Sequence, residues 1–200
     1  MLKCYTYNKN NYLHTLIWII FMSYSTNNGN SIQIKPIEVQ HIDAARTIII
    51  NACLELQILP CDSMESLQKS LVETKALADL DTWNNVKELY FDHQGTFLVM
   101  LCDDKVIGMG AVKRVDVTTC ELKRMFFDPH YRGQGLGSHM LEALISFARH
   151  QGYARMRLDV YNPTTSVRAV NLYTKFGFYE ISPYKDDPLA KLFMAKDLID

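Results

Sequence analysis

The stretch from Glu121 to Tyr153, ELKRMFFDPHYRGQGLGSHMLEALISFARHQGY, constrains the fold most, because a strand, a glycine-rich loop and a helix follow one another in it without a gap. Glu121 to Phe127 reads as a strand that stops at Asp128-Pro129, since proline has no N–H for a ladder and restricts the residue before it. From Ser138 on, Met140, Leu141, Leu144, Ile145 and Ala148 fall on one helical stripe, and Gly152 stands where a C-terminal glycine cap is expected. Gly133, Gly135 and Gly137 therefore lie at a helix N-terminus. The first-turn N–H groups there are unpaired, the helix dipole is positive, and glycine lets a ligand come close to the backbone. A phosphate group is the natural guest.

The spacing discriminates among phosphate ligands. A P-loop needs Gly-Lys-Ser/Thr at its end, whereas Gly137 is followed by Ser138-His139. The dinucleotide fingerprint comes closer, with Gly133-x-Gly135 and with Asp159 about 20 residues on as a ribose-binding acid. Ser138 replaces its third glycine, however, and Asp128-Pro129-His130-Tyr131 separates the glycines from the strand, so an NAD-binding α/β protein ranks second. What fits is Arg132-x-x-Gly135-x-Gly137 between strand and helix. This segment resembles the acyl-CoA-binding motif of the GNAT superfamily of N-acetyltransferases, written Q/R-x-x-G-x-G/A. Downstream, Ala169-Val170-Asn171-Leu172-Tyr173-Thr174-Lys175-Phe176-Gly177-Phe178 resembles the family's A-x-x-L-Y-x-x-x-G-F segment, in the right order.

The resemblance, which covers about Ile32 to Asp200, implies an α/β GNAT fold. Its mixed, mostly antiparallel sheet of six or seven strands is flanked by helices, and a splayed pair of parallel strands holds the cofactor. It implies acetyl-CoA as donor and a primary amine as acceptor, with no metal. The pantetheine arm would pair with the strand edge at Met125, Phe126 and Phe127. The pyrophosphate would rest on Arg132, Gly133, Gln134, Gly135, Leu136, Gly137 and Ser138, with Gly135 and Gly137 small so as to leave room for it. Glu121, eleven residues before Arg132, holds the offset of the general-base glutamate of the histone-acetylating branch. Its alternation with Lys123 equally suits a cross-strand pair. Tyr173 matches the family's general-acid tyrosine, although Ala169, Leu172, Tyr173 and Phe176 also share the spacing of a core stripe. An Asn common in relatives is replaced by Ser166, which leaves Asn162 or Asn171 as the alternative cofactor contact. A CoA-binding module without catalysis is the third reading, if Glu121 and Tyr173 are only structural.

Composition excludes other classes. Two hundred residues with 48% hydrophobic content and net charge −1 describe one ordinary domain with no electrostatic footprint for nucleic acid. The five cysteines, Cys4, Cys53, Cys61, Cys102 and Cys120, form no C-x-x-C pair, and the six histidines no H-E-x-x-H, so neither a disulfide framework nor a metal site is expected. Residues 1–21 place Lys3 and Lys9 before an apolar run, Leu16 to Met22, too short to span a bilayer. The run fits a signal-peptide core, with Ser23-Tyr24-Ser25 as a cleavage site, and would make the protein exported or anchored. The absence of Asp, Glu, Gly, Ala and Pro before Met22 favours an internal start at Met22 instead, with a cytoplasmic domain from residue 32 behind a structureless polar lead-in. A homodimer is expected by family analogy alone.

Along the rest of the chain, Ile32 to Ile37 alternates as a first strand, and Ile42, Ala45, Ile49, Ala52, Cys53 and Leu56 recur as a helix ended by Pro60. Ser63 caps a second helical stretch containing Leu67, Leu71 and Val72, with a further turn set Trp83, Val86, Leu89 and Tyr90. Between Asp62 and Asp92 seven acids face three lysines, a net of −4, which would attract a cationic acceptor or simply be solvated helix faces. Phe97 to Cys102, the turn Asp103-Asp104 and Lys105 to Val115 read as a hairpin, with Gly108 and Gly110 marking a bulge or close approach. After the motif helix come a strand Ala154 to Val160, a helix Ser166 to Phe176, and strands Phe178 to Ile181 and Leu192 to Lys196.

Overall fold

The computed structural model describes residues 22–25, 31–57, 63–73 and 77–199. Among the described residues, eight strands form a single sheet in the order β1-β2-β3-β4-β5-β6-β8-β7. They are β1 (Met22–Ser25), β2 (Ser31–Pro36), β3 (Thr96–Cys102), β4 (Lys105–Arg114), β5 (Thr119–Phe127), β6 (Arg155–Val160), β7 (Tyr179–Glu180) and β8 (Leu192–Asp197). The helices are α1 (Ile42–Glu55), α2 (Met64–Glu73), α3 (Trp83–Leu89), α4 (Leu136–His150) and α5 (Val167–Lys175). Every pairing is antiparallel except β5 with β6. β8 enters between β6 and β7, so the chain returns to the sheet past its own edge. The polar lead-in expected before residue 32 is corrected over Met22–Ser25, which pairs in register with β2 (Met22 opposite Ile34) and takes the sheet one strand beyond the six or seven expected. Residues 1–21 lie outside the described residues, and so do the start and export alternatives for them.

Helices cover both faces, which is why β3 is buried along its whole length and β4 is buried from Val106 to Val112. On one face, α4 sets Met140, Leu141, Leu144 and Ala148 against Leu98, Met100, Ile107 and Val112. On the other, α1 sets Ala45, Ile49 and Cys53 among Phe97, Val99, Met109 and Ala111, together with Leu67, Leu80 and Val86. Local chemistry fixes the element ends. Ser63 Oγ accepts from Ser66 N–H at 3.1 Å ahead of α2, and Thr82 Oγ1 accepts from Asn85 N–H at 3.2 Å ahead of α3. Asp103 and Asp104 both take positive φ (47° and 66°), the demand of a two-residue hairpin turn. Gly152 (φ 85°) ends α4, and Tyr153 N–H reaches back to Ala148 O at 3.1 Å.

Both features expected of the β4 glycines are present. A Cβ on Gly108 would lie 2.2 Å from the Phe127 ring, so only glycine admits that ring. Gly110 faces the register shift between Met109 and Ala111, where β5 carries one residue more than β4.

Candidate active site

The parallel pairing of β5 with β6 runs only from Thr119–Arg155 to Glu121–Arg157. Beyond it the strands part, and the cleft between them is lined by Leu122 to Phe126 on one side and Leu158 to Asn162 on the other. Ser166, Ala169 and Tyr173 of the α5 segment and Leu56 after α1 complete the wall. At the top of β5, Asp128 N–H bonds Ile107 O at 2.9 Å, and Phe126 stands opposite Met109. The alternation of an antiparallel ladder then turns Phe126 N–H toward β4 and the Phe127 amide toward the open edge. Arg132 Nε meets Phe127 O there at 3.0 Å. Met125 and Phe126 line the cleft, while the Phe127 ring packs over Gly108.

The glycine loop follows a short 3-10 turn, Pro129–Tyr131, and α4 begins with Gly135 in the left-handed region (φ 79°) as its N-cap. Arg132 N–H bonds Pro129 O at 3.3 Å and Ser138 N–H bonds Gly135 O at 2.9 Å. The cradle expected over Arg132 to Ser138 is therefore narrower. Among the described residues, the N–H groups of Gly133, Gln134, Gly135, Leu136 and Gly137 make no hydrogen bond. The Arg132 side chain is likewise engaged, in an ion pair with Glu55. The glycines differ in what requires them. Gly133 and Gly135 hold positive φ with open space where a Cβ would stand, whereas a Cβ on Gly137 would press Leu172 of α5 at 3.2 Å. A side chain on Gly137 would therefore also disturb the packing between α4 and α5, apart from any effect on a phosphate.

Glu121 does not line the cleft. It is buried on the sheet face of α1–α3 in a network of opposite charges. Its Oε1 accepts from Tyr184 Oη at 2.8 Å and from Lys185 Nζ at 3.2 Å, both on the segment between β7 and β8. Lys185 Nζ also reaches Asp159 Oδ1 at 2.8 Å, and Lys123 Nζ lies 3.4 Å from the same oxygen. Burial alone would raise the Asp159 carboxyl, but Lys123 and Lys185 outweigh it and hold the group below the usual carboxylate range. Burial disfavours the Lys185 charge; Asp159 and Glu121 outweigh that and push its ammonium well above the ordinary lysine value. Asp159 and Lys123, unlike Glu121, border the cleft.

A second ion pair joins the buried carboxylate of Asp79 to a part-buried arginine. Arg124, at the β5 bulge, takes a left-handed φ of 58° and grips Asp79 with two bonds, Nε to Oδ2 at 2.9 Å and Nη2 to Oδ1 at 2.6 Å. Tyr90 Oη donates to Asp79 Oδ2 at 2.5 Å. Asp79 is thus a paired core residue and not part of a solvated acidic face.

Tyr173 is buried, tilted against Phe178 at 5.8 Å between centroids, and borders the cleft; its hydroxyl makes no hydrogen bond among the described residues. Burial, with the Asp159 charge adding, pushes that hydroxyl well above the ordinary tyrosine range. Of the two alternative asparagines, Asn171 is exposed and outside the cleft wall. Asn162 borders the cleft, with its Oδ1 accepting from Thr164 Oγ1 at 2.6 Å and Thr165 N–H at 3.3 Å. Ser166 takes the cleft-side place at the start of α5.

Residues 61–178, more than half of the chain, match the acetyltransferase (GNAT) family. The chain belongs to that family. This GNAT protein is 32% identical to human N-acetyltransferase 8 over 101 residues, 48% of this chain and 44% of that one. The matched stretches span about a third to two thirds of the curated relatives' length, from 31% to 64% in four of them. A solved acetyltransferase from Streptococcus agalactiae superposes with a TM-score of 0.65 at 25% identity, covering 83% of this chain and 98% of that one. The fold of yncA from Salmonella typhimurium, a structure described with its cofactor acetyl-CoA, matches at a TM-score of 0.60 and 19% identity, over 84% and 95% of the two chains. The NAD reading is overturned: the sheet holds one parallel pair, and Asp159, its ribose acid, is bound to Lys185 and Lys123. Among the described residues no helix is long and apolar enough to cross a membrane.

The Arg124–Asp79–Tyr90 and Glu121–Asp159–Lys185 groups, whose members lie up to 45 and 64 residues apart in the chain, leave no local pattern in the sequence. The one available signal was the order Leu122-Lys123-Arg124-Met125, which breaks the period of two where the bulge falls.

Proposed function

We propose that this GNAT enzyme moves the acetyl group of acetyl-CoA to a primary amine by direct attack in the cleft between β5 and β6. The observation that carries the reading is the row of five free N–H donors from Gly133 to Gly137, continuous with the open β5 edge at Phe127. Anionic phosphate oxygens match the donors, and an amide-bearing pantetheine arm matches a strand edge. The Phe127 N–H is placed to bond the thioester oxygen as negative charge builds on it.

A lysine-like amine, with a pKa of about 10.4, costs on the order of 4.6 kcal/mol to deprotonate at pH 7, so a base lowers the barrier. Glu121 is the proposed base, and because it does not line the cleft the proton reaches it through water and not by direct contact. The N–C bond then forms, the C–S bond breaks with the departing sulfur taking the Tyr173 proton, and the remaining extra proton on nitrogen leaves to solvent as the amide forms, solvent also reprotonating Tyr173. Burial favours the protonated form of Tyr173, which is the form a donor needs.

Lys185 meanwhile holds the carboxylates that an acceptor ammonium would meet. Lys185→Met is therefore expected to lower KM for amine acceptors, about tenfold if the segment opens a tenth of the time, with KM for acetyl-CoA unchanged. Release of CoA thiol, followed with a diamine, an amino acid and a short peptide as acceptors, tests both statements. If acetyl-CoA binds but no amine releases thiol from either form, the chain is a CoA-binding module and the transfer reading is wrong.

A further inference from the structure

We propose that Arg124 and Asp79 are positioning residues for the acyl transfer: their ion pair holds the β5 bulge in the one conformation that presents the Phe127 amide to the thioester. The proposal rests on the acetyl-CoA reading above.

Arg124 is one of five non-glycine residues with positive φ among the described residues, and of the five it alone lies inside a strand. An L-residue in that region is strained, and the strain persists only where the surroundings over-determine it. Here they do so through a part-buried fork on a buried carboxylate. Both guanidinium bonds go to one carboxylate, and that carboxylate is fixed by Tyr90, itself edge-on to Phe97 of β3 at 5.2 Å. The segment carrying Asp79 is moored to α1 as well, by Arg46 Nη1 on Leu80 O at 3.1 Å and on Asp81 Oδ1 at 2.6 Å. A buried ion pair contributes little stability over an apolar pair of the same shape, so its presence at the cleft wall calls for another reason.

The register supplies one. Below the bulge Lys123 faces Ala111, whereas above it Phe126 faces Met109. Taking out the extra residue would slide the upper part of β5 by one position. A one-residue slip exchanges which side of the strand every group faces. The Phe127 amide would turn to β4 and the Phe126 amide to the cleft, and the Phe127 ring would leave the space that Gly108 keeps for it. The left-handed φ at Arg124 thus determines which amide meets the substrate, and the clamp with Asp79 determines that φ.

The test compares two double variants, Asp79→Asn with Arg124→Gly and Asp79→Asn with Arg124→Ala; in both, Asp79→Asn avoids leaving a buried carboxylate without its cation. Both lose the clamp, but glycine adopts φ near 58° freely and alanine does not. The probe is acetyl-CoA labelled with ¹³C at the carbonyl, whose resonance moves downfield when an amide hydrogen-bonds the oxygen. The downfield shift of the bound probe should be kept in the glycine variant and lost in the alanine variant. Thiol release, wherever an amine supports it, should stay near wild type in the former and fall about 100-fold in the latter, the scale of a missing oxyanion donor. Equal behaviour of the two variants, with the shift kept in both or lost in both, overturns the proposal, because a pair that only anchors the Asp79 segment would not tell glycine from alanine. Absence of any bound resonance in the wild-type chain overturns the donor reading itself.

Discussion

Gly135→Val is expected to weaken acetyl-CoA binding about 100-fold or more while leaving the chain folded. Gly135 stands at φ 79° with no atom within 4 Å of a would-be Cβ, so the β-carbon meets no neighbour and the folding cost is chiefly backbone strain, about 1–3 kcal/mol. The row of donors is far more sensitive. A β-branched residue drives φ negative, which rotates the adjacent N–H groups out of line. Losing two hydrogen bonds to a charged phosphate, at about 1.5–3 kcal/mol each, accounts for two or more orders of magnitude in Kd. Calorimetric titration with acetyl-CoA, beside thermal unfolding, separates the two effects. Gly137→Val would not separate them, because its Cβ presses Leu172 and disturbs the α4–α5 contact as well.

The second large effect is on turnover. Tyr173→Phe keeps the ring, its tilted contact with Phe178 and its place in the cleft wall, and removes one oxygen. With Tyr173 as the acid, kcat should fall on the order of 10² to 10⁴, with KM for acetyl-CoA unchanged. The pH dependence carries a sign. Because burial raises the Tyr173 hydroxyl above the ordinary tyrosine value of about 10, it stays protonated through neutral and mildly alkaline pH. The wild-type kcat profile should therefore show no descending limb from this group below about pH 10. An unchanged kcat in Tyr173→Phe at saturating substrates would leave Tyr173 as a core aromatic, the role its helical spacing equally allowed.

The parts of the site that could be read in the sequence are those specified by local chemistry. Proline after a strand, glycines before a helix and a stripe of Met140, Leu141, Leu144 and Ala148 each act within a few residues, so the β5–loop–α4 unit and its row of free donors were legible. Pairwise chemistry across the fold was not. Glu121 was placed on its strand correctly, but its partners Tyr184 and Lys185 come from a segment more than 60 residues away with no periodic signal. Arg132 occupied the motif's first position, yet its bond to Glu55 depends on where α1 ends. The acidic run from 62 to 92 looked uniform in composition, and only tertiary structure singles out Asp79 as the member that is buried and paired. Backbone strain is the least legible of all: no residue type announces a left-handed arginine, and Arg124 is recognised only by its φ.

The proposed donor site puts the phosphates on the backbone amides that open α4. Its most direct test is the amide spectrum of the chain labelled with ¹⁵N-glycine, which gives one signal for each of nine glycines. On addition of CoA, the signals of Gly133, Gly135 and Gly137 should move downfield together, while those of Gly95 and Gly152, away from the cleft wall, stay in place. Saturable CoA binding that leaves the three loop signals unmoved would contradict the claim and put the donor elsewhere on the molecule.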